Sequence, residues 1–140
     1  MLSESVLIIS ESPGYEYTRR YLRDDDPVQS RRAAHFIQRA ARQNEPLFVN
    51  HVVLCELVWI LSSVYEHRKD EIVNMIETVL LTEQFELEDK SSIELALEDY
   101  KGSKADFSDC LIGRRNRAGG SERTLTFDRR LKNVETFEVV

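Results

Sequence analysis

Four carboxylates stand where their type and spacing could do chemistry: Glu56, Asp106, Asp109 and Asp128. Glu56 is the only charged residue between Val52 and Tyr65, in the otherwise apolar run "VVLCELVWILSSVY". A carboxylate in such a run is costly unless it is paired or holds a cation. The plain alternative puts it on the one solvated stripe of a helix. Asp106 and Asp109 lie three apart at the start of a helix and so share a face. Charges there complement the helix dipole, which accounts well for Asp106. Asp109 is followed directly by Cys110-Leu111-Ile112, at the edge of a core. Asp128 follows the extended run "TLTF" and also suits a cap for the next turn. Strand ends and helix N-termini are where α/β domains build sites.

A cluster of carboxylates repels itself unless a cation holds it. Oxygen donors alone suit a hard ion, Mg²⁺ or Mn²⁺, and His35, His51 and His67 show no ligand spacing. An ion held this way does phosphoryl chemistry by activating water and neutralising a phosphodiester oxygen. Arg114, Arg115, Arg117, Arg123, Arg129 and Arg130 crowd the same C-terminal stretch and could meet RNA phosphates, although solvated arginines are the commoner fact.

These side chains need a scaffold, and the chain supplies one. At 140 residues it is expected to be a single domain. Its net charge of −6 argues against a generally basic nucleic-acid surface. No run of about 18 apolar residues suggests a membrane span, and residues 1–13 lack a signal-peptide pattern. Cys55 and Cys110 stand far apart with no CxxC, so a reducing cytoplasm is the expected setting. Asp26-Pro27 reads as a cap followed by proline at the first helical position. A helix then runs to Gln43-Asn44, with Ala33, Ala34, Phe36, Ile37, Ala40 and Ala41 on its apolar face. Leu47–Val49 suits a buried strand. The helix that carries Glu56 is apolar nearly all round and is expected to be buried.

A third helix covers about Asp70–Leu81, and "FELED" is a strand. Ser91-Ser92-Ile93-Glu94 reads as a capping box that opens a helix to about Tyr100. "ADFSDCLIGRRNRAGG" is a helix ending on paired glycines. "TLTF" and "FEVV" are strands around a short turn at Asp128–Lys132. Strands alternating with helices predict a three-layer α/β/α sandwich with a central, mostly parallel sheet.

With these residues in place, the chain resembles the PIN-domain ribonucleases, specifically VapC-type toxins of VapBC toxin–antitoxin modules. The matching pieces are "RYLRDDDPVQSRRAAHFI", "VLCELVWILSSVY", "ALEDYKGSKADFSDCLIG" and "TLTFDRRL", in family order. The resemblance implies a PIN-like sandwich with acids around one or two Mg²⁺ or Mn²⁺ ions, cutting single-stranded RNA. By that resemblance Glu56, Asp109 and Asp128 are catalytic and metal-binding, Asp106 is an accessory metal-binding acid, and Thr126 is an accessory polar residue. It also implies a homodimer and a small antitoxin that puts a basic side chain into the acidic groove. Cys55 and Cys110 flank two of the acids as small core residues.

One family acid is missing. Alignment on Arg20-Tyr21-Leu22 puts the first aspartate at Gly14, in "GYEYTR". Codons GGA TAC GAA TAC ACT CGT would encode Gly14–Arg19. Shifted by one base they read Asp-Thr-Asn-Thr-Leu, which is the family's opening pattern. The expectation is that residues 1–19 are out of frame relative to an ancestral gene, and the nucleotide sequence decides it. Ser5–Ser10 would then rebuild the first strand, with Glu11 a weak substitute for the lost acid. Two functions follow: a metal-dependent RNase, impaired at this position, or an inactive PIN fold that serves as an antitoxin-binding module.

Overall fold

The computed structural model describes residues 6–11, 17–21, 35, 38–39, 42–63 and 66–140. The Asp26-Pro27 helix start, the apolar face of that helix and Gly14 lie outside the described residues. His35, Gln38, Arg39, Arg42 and Gln43 are helical, and Asn44 takes a left-handed φ of 56°, where the short polar side chain of asparagine is tolerated as a helix stop. The chain divides into two units, Met1–Glu88 and Asp89–Val140.

In the first unit β1 (Val6–Glu11), β2 (Tyr17–Tyr21), β3 (Leu47–Val49) and β4 (Phe85–Leu87) form one sheet in the order β2-β1-β3-β4. Helices α1 (His51–Ser63) and α2 (Lys69–Leu81) join β3 to β4. That crossover makes β3 and β4 parallel, as a helical connection requires. Leu47 and Val49 are buried, while Phe48 between them is half-buried, the period-2 signature of a strand. The first turn of α1 is satisfied from two sides. The Asn50 side chain accepts from the Val53 N–H at 2.9 Å, and Glu88, just past β4, accepts from the His51 N–H at 2.8 Å.

The segment Val6–Glu11 is a strand and lies inside the sheet, but its direction differs from the expectation. Only five residues separate β1 from β2, too few for a parallel crossover, so the two pair antiparallel. β1 is also antiparallel to β3, with Ser10 opposite Phe48 and Glu11 opposite Leu47. Glu11 is thus level with the start of β3, at the other end of the strand from α1.

The second unit packs α3 (Lys90–Lys101) on α4 (Phe107–Ala118), followed by β5 (Thr124–Thr126), a 3₁₀ turn (Arg129–Leu131) and β6 (Phe137–Val139). β5 and β6 are parallel. Ile93, Ala96, Leu97 and Tyr100 of α3 and Phe107, Cys110 and Leu111 of α4 are buried at helical spacing. Tyr100 and Phe107 meet edge-on, ring centres 5.9 Å apart. The cap of α3 lies two residues before the expected Ser91: Asp89 accepts from the Ser92 N–H at 3.2 Å and from the Ser92 hydroxyl. A carboxylate that binds both groups of one serine outcompetes a hydroxyl for the cap. Cys55 and Cys110 form no disulfide.

Gly113 lets α4 touch the strand behind it. A Cβ there would fall 2.3 Å from Thr136 Oγ1 and 2.5 Å from Phe137 Cε2, and both residues are buried. Overpacking costs about 1–3 kcal/mol, against a gain of about 1 kcal/mol in helix propensity. Gly113→Ala is therefore expected to lower stability by up to about 2 kcal/mol in urea unfolding. An unchanged midpoint would mean that the contact yields freely.

Candidate active site

The acids of the second unit are placed by the start of α4 and the end of β5. Asp106 holds the N-cap position with extended backbone, yet its carboxylate makes no capping bond. It instead lies 3.5 Å from Arg130 Nη2, so capping is not what occupies this side chain. Asp109, in the first turn of α4, is half-buried and faces the same way. Thr126 closes β5, and its hydroxyl accepts from the Asp128 N–H at 3.0 Å. That bond fixes the chain at the point where Asp128 leaves the strand. Asp128 does cap the 3₁₀ turn, accepting from the Arg130 N–H at 2.9 Å.

The Arg130 side chain then folds back over the same carboxylate. Nε reaches both Asp128 oxygens, at 3.1 and 3.0 Å, and Nη2 reaches Oδ2 at 2.7 Å. These charge-assisted bonds hold the Asp128 carboxyl below the usual aspartate value, and the proximity of Asp128, Asp106 and Asp109 pushes the guanidinium further up. Asp109 moves the other way. Burial raises it first, repulsion from Asp106 and Asp128 adds to this, and Arg130 offsets only part. Asp128 and Asp106 thus contact one guanidinium, and Asp109, near them without such a contact, is the least compensated.

Glu56 belongs to the first unit. It is half-buried on α1, on the stripe that carries the exposed Val52 and Trp59. The expectation that this helix is buried holds for His51, Val53, Leu54, Leu57, Val58 and Ile60, while the stripe with Val52 and Trp59 is exposed. Among the described residues no three His, Cys, Asp or Glu side chains stand close enough to hold a metal ion. In the second unit Arg130 takes the central place among the acids.

The crowded arginines have separate fates. Arg114 pairs with Asp99 at 2.6 Å and Glu135 at 2.8 Å. Arg117 donates to the backbone carbonyls of Glu122 and Glu135, and Arg123 lies 3.7 Å from Glu138. The role of Arg130 was not legible from its place in an arginine-rich run. The available signal was local: Asp128 and Arg130 two apart in a tight turn. Glu88 was likewise missed, since "ELED" does not say which acid turns to the helix start.

Comparison with known proteins adds the lineage. A model of the PIN domain family matches residues 8–136. The chain is also similar to a protein described as a VapC ribonuclease from Aquifex aeolicus (strain VF5), 31% identical over 99 residues. That match covers 71% of this chain and 73% of the relative. No solved structure matches.

Proposed function

The chain belongs to the PIN-domain family, and on that premise we propose that it is a Mg²⁺- or Mn²⁺-dependent endoribonuclease of a toxin–antitoxin pair, cleaving single-stranded RNA. Its α/β class, with parallel strand pairs, is that of the family. The observation that carries the reading is the gathering of Asp106, Asp109 and Asp128 around one cation, Arg130. Donors that are all oxygen are the type a hard divalent ion takes, although the described residues bring no three of them to one ion as they stand; the raised Asp109 marks negative charge in excess of its compensation. When bound, such an ion supplies charge neutralisation at the phosphodiester and activation of the attacking water.

Asp109 and Asp128 are the holding acids of this unit, Asp106 supports them, and Thr126 orients Asp128 through its backbone. Glu56 joins them by family position. Residues 1–140 act as one PIN-like domain in this reading, which the family match across both units supports. The partners are single-stranded RNA, a cognate antitoxin and a second copy of the chain, in the cytoplasm. No helix among the described residues is long and apolar enough to cross a membrane.

The test is Mg²⁺-dependent cleavage of a labelled single-stranded RNA by the wild type, with Glu56→Gln and Asp128→Asn alongside. Cleavage that needs Mg²⁺ and falls in both variants is expected. Cleavage that survives chelation of the metal would sink the assignment. A second reading, an inactive fold that only binds the antitoxin, is favoured by one observation: Gly14 stands where the family has its first aspartate. Absent cleavage with retained antitoxin binding selects it.

A further inference from the structure

Glu88 follows β4 and fixes the corner at which β3 turns into α1. Its N–H donates to the Val49 carbonyl at 3.0 Å, one residue beyond the last parallel pair, Val49 with Leu87. Its Oε2 accepts from the His51 N–H at 2.8 Å, across 37 residues of chain. The backbone and side chain of one residue thus grip both sides of Asn50. The other acceptors at the start of α1 are local. The Asn50 side chain takes the Val53 N–H, and the Asn50 carbonyl takes the Leu54 N–H. A local cap shapes the first turn but travels with it. An acceptor from the neighbouring strand ties that turn to the sheet, and Glu88 supplies one. The bond is partly buried, where an N–H stripped of its acceptor is costly.

We propose that Glu88 is a positioning residue for Glu56: by holding the start of α1 to the end of β4, it sets where the Glu56 carboxylate stands for RNA cleavage. This rests on the nuclease reading above. Glu56 lies five residues along α1 from His51, about 7.5 Å at 1.5 Å per residue. A helix is stiff over that span, so a tilt of about 10° at its base moves Glu56 by about 1.3 Å. Misplacement of a reacting group by about 1 Å can cost about a hundredfold in rate. The buried side of α1, from Val53 to Ile60, keeps the helix packed when the bond is lost. The consequence of losing Glu88 is therefore a shifted helix with a misplaced acid, and the helix itself persists.

The full chain is compared as wild type, Glu88→Ala, Glu88→Gln and Ile76→Val, at a temperature where circular dichroism shows each one folded. Cleavage of a labelled single-stranded RNA is measured with Mg²⁺, and amide hydrogen exchange is followed along α1. Glutamine keeps an oxygen that can accept from the His51 N–H, and alanine has none. Ile76 is wholly buried on α2, so Ile76→Val lowers stability from another helix. Glu88→Ala is expected to lose roughly tenfold in kcat at unchanged KM, with faster exchange in the first turn of α1. Glu88→Gln is expected to stay within about twofold of wild type in both readouts. Ile76→Val is expected to unfold at lower urea yet cleave like wild type. A kcat loss in Ile76→Val equal to that of Glu88→Ala would make Glu88 merely structural and overturn the proposal. Cleavage by wild type with an unaffected Glu88→Ala, or a Glu88→Gln as slow as Glu88→Ala, overturns it too and leaves the nuclease reading standing. No cleavage by wild type removes that reading and the proposal with it.

Discussion

Asp109→Asn is expected to abolish Mg²⁺-dependent RNA cleavage and, at neutral pH, to make the metal-free protein slightly more stable. Both effects come from one feature. The carboxylate is half-buried beside Asp106 and Asp128, and Arg130 attends mainly to Asp128. Its charge is costly in the metal-free protein, and under the metal-dependent reading proposed above its removal also takes away a ligand. The expected loss of activity is on the order of a hundredfold or more. The gain in stability is small, about 0.5 kcal/mol, because solvent screens a half-exposed group. One term opposes it: a negative charge in the first turn of α4 gains from the helix dipole, about 0.3 kcal/mol where exposed. Burial and two neighbouring carboxylates outweigh that.

The stability effect of Asp109 depends on pH. The Asp109 carboxyl titrates higher in the folded protein than in the unfolded chain, so its ionisation costs stability at pH values above the folded value. The cost disappears as pH falls through that value. Asp128 is the opposite case: its stabilising charge is lost only as pH falls through its lowered value. The stability gap between wild type and Asp109→Asn should thus be present at pH 7 and close on acidification. A variant less stable than wild type at pH 7 would show that the dipole term prevails.

Most of the architecture after residue 46 was legible because each element has a local cause. The short apolar run Leu47–Val49, the apolar spacing in α2 to α4 and the glycine pair after Ala118 gave their elements within two residues or so. Direction was not legible for Val6–Glu11. A short run of β-branched and other apolar residues identifies a strand, but which way it runs beside β3 depends on how a hairpin docks, and no residue in the strand encodes that. The cap of α3 slipped because two acceptors compete within three residues, and the choice of Asp89 depends on a left-handed backbone at that residue.

The candidate site shows the same division. That Asp106 and Asp109 share a face follows from helical spacing, and that Asp128 ends a strand follows from "TLTFD". Which arginine answers them does not. Six arginines between residues 114 and 130 look alike in sequence. Folding assigns Arg114 to the buried Asp99, Arg117 to carbonyls and Arg130 to the acids, because each points a different way from its helix or turn. A charge run read as a whole therefore overstates what is left for RNA.

Arg114→Ala is expected to lower the stability of the second unit by about 3 kcal/mol. Its Nε and Nη2 grip both oxygens of Asp99, at 2.6 and 2.8 Å, with about a tenth of either side chain exposed. Nη2 also meets Glu135 at 2.8 Å. One guanidinium thereby ties α4 to α3 and to the segment entering β6. Truncation leaves Asp99 charged and almost buried with its forked partner gone, and that costs about 3–5 kcal/mol. The lower end applies because the pair retains a little contact with water. Glu135→Gln touches only the exposed arm and should cost under about 1 kcal/mol. Arg114→Lys keeps the charge but loses the fork, and should fall between the two.

The double change Asp99→Leu with Arg114→Leu is the decisive comparison. If the penalty is that of an orphaned charge, removing both partners recovers most of the stability lost by Arg114→Ala. If the penalty is lost packing, the double variant stays as unstable as the single one. Urea unfolding followed by two probes separates these outcomes, and a loss under about 1 kcal/mol for Arg114→Ala would refute the clamp. The consequence reaches the acids. α4 carries Asp106 and Asp109 at its start and Arg114 in the turn beyond them, so a helix loosened from α3 also loosens the cluster. Metal affinity should fall with stability in Arg114→Ala and recover in the double variant, although no substituted residue touches Asp109.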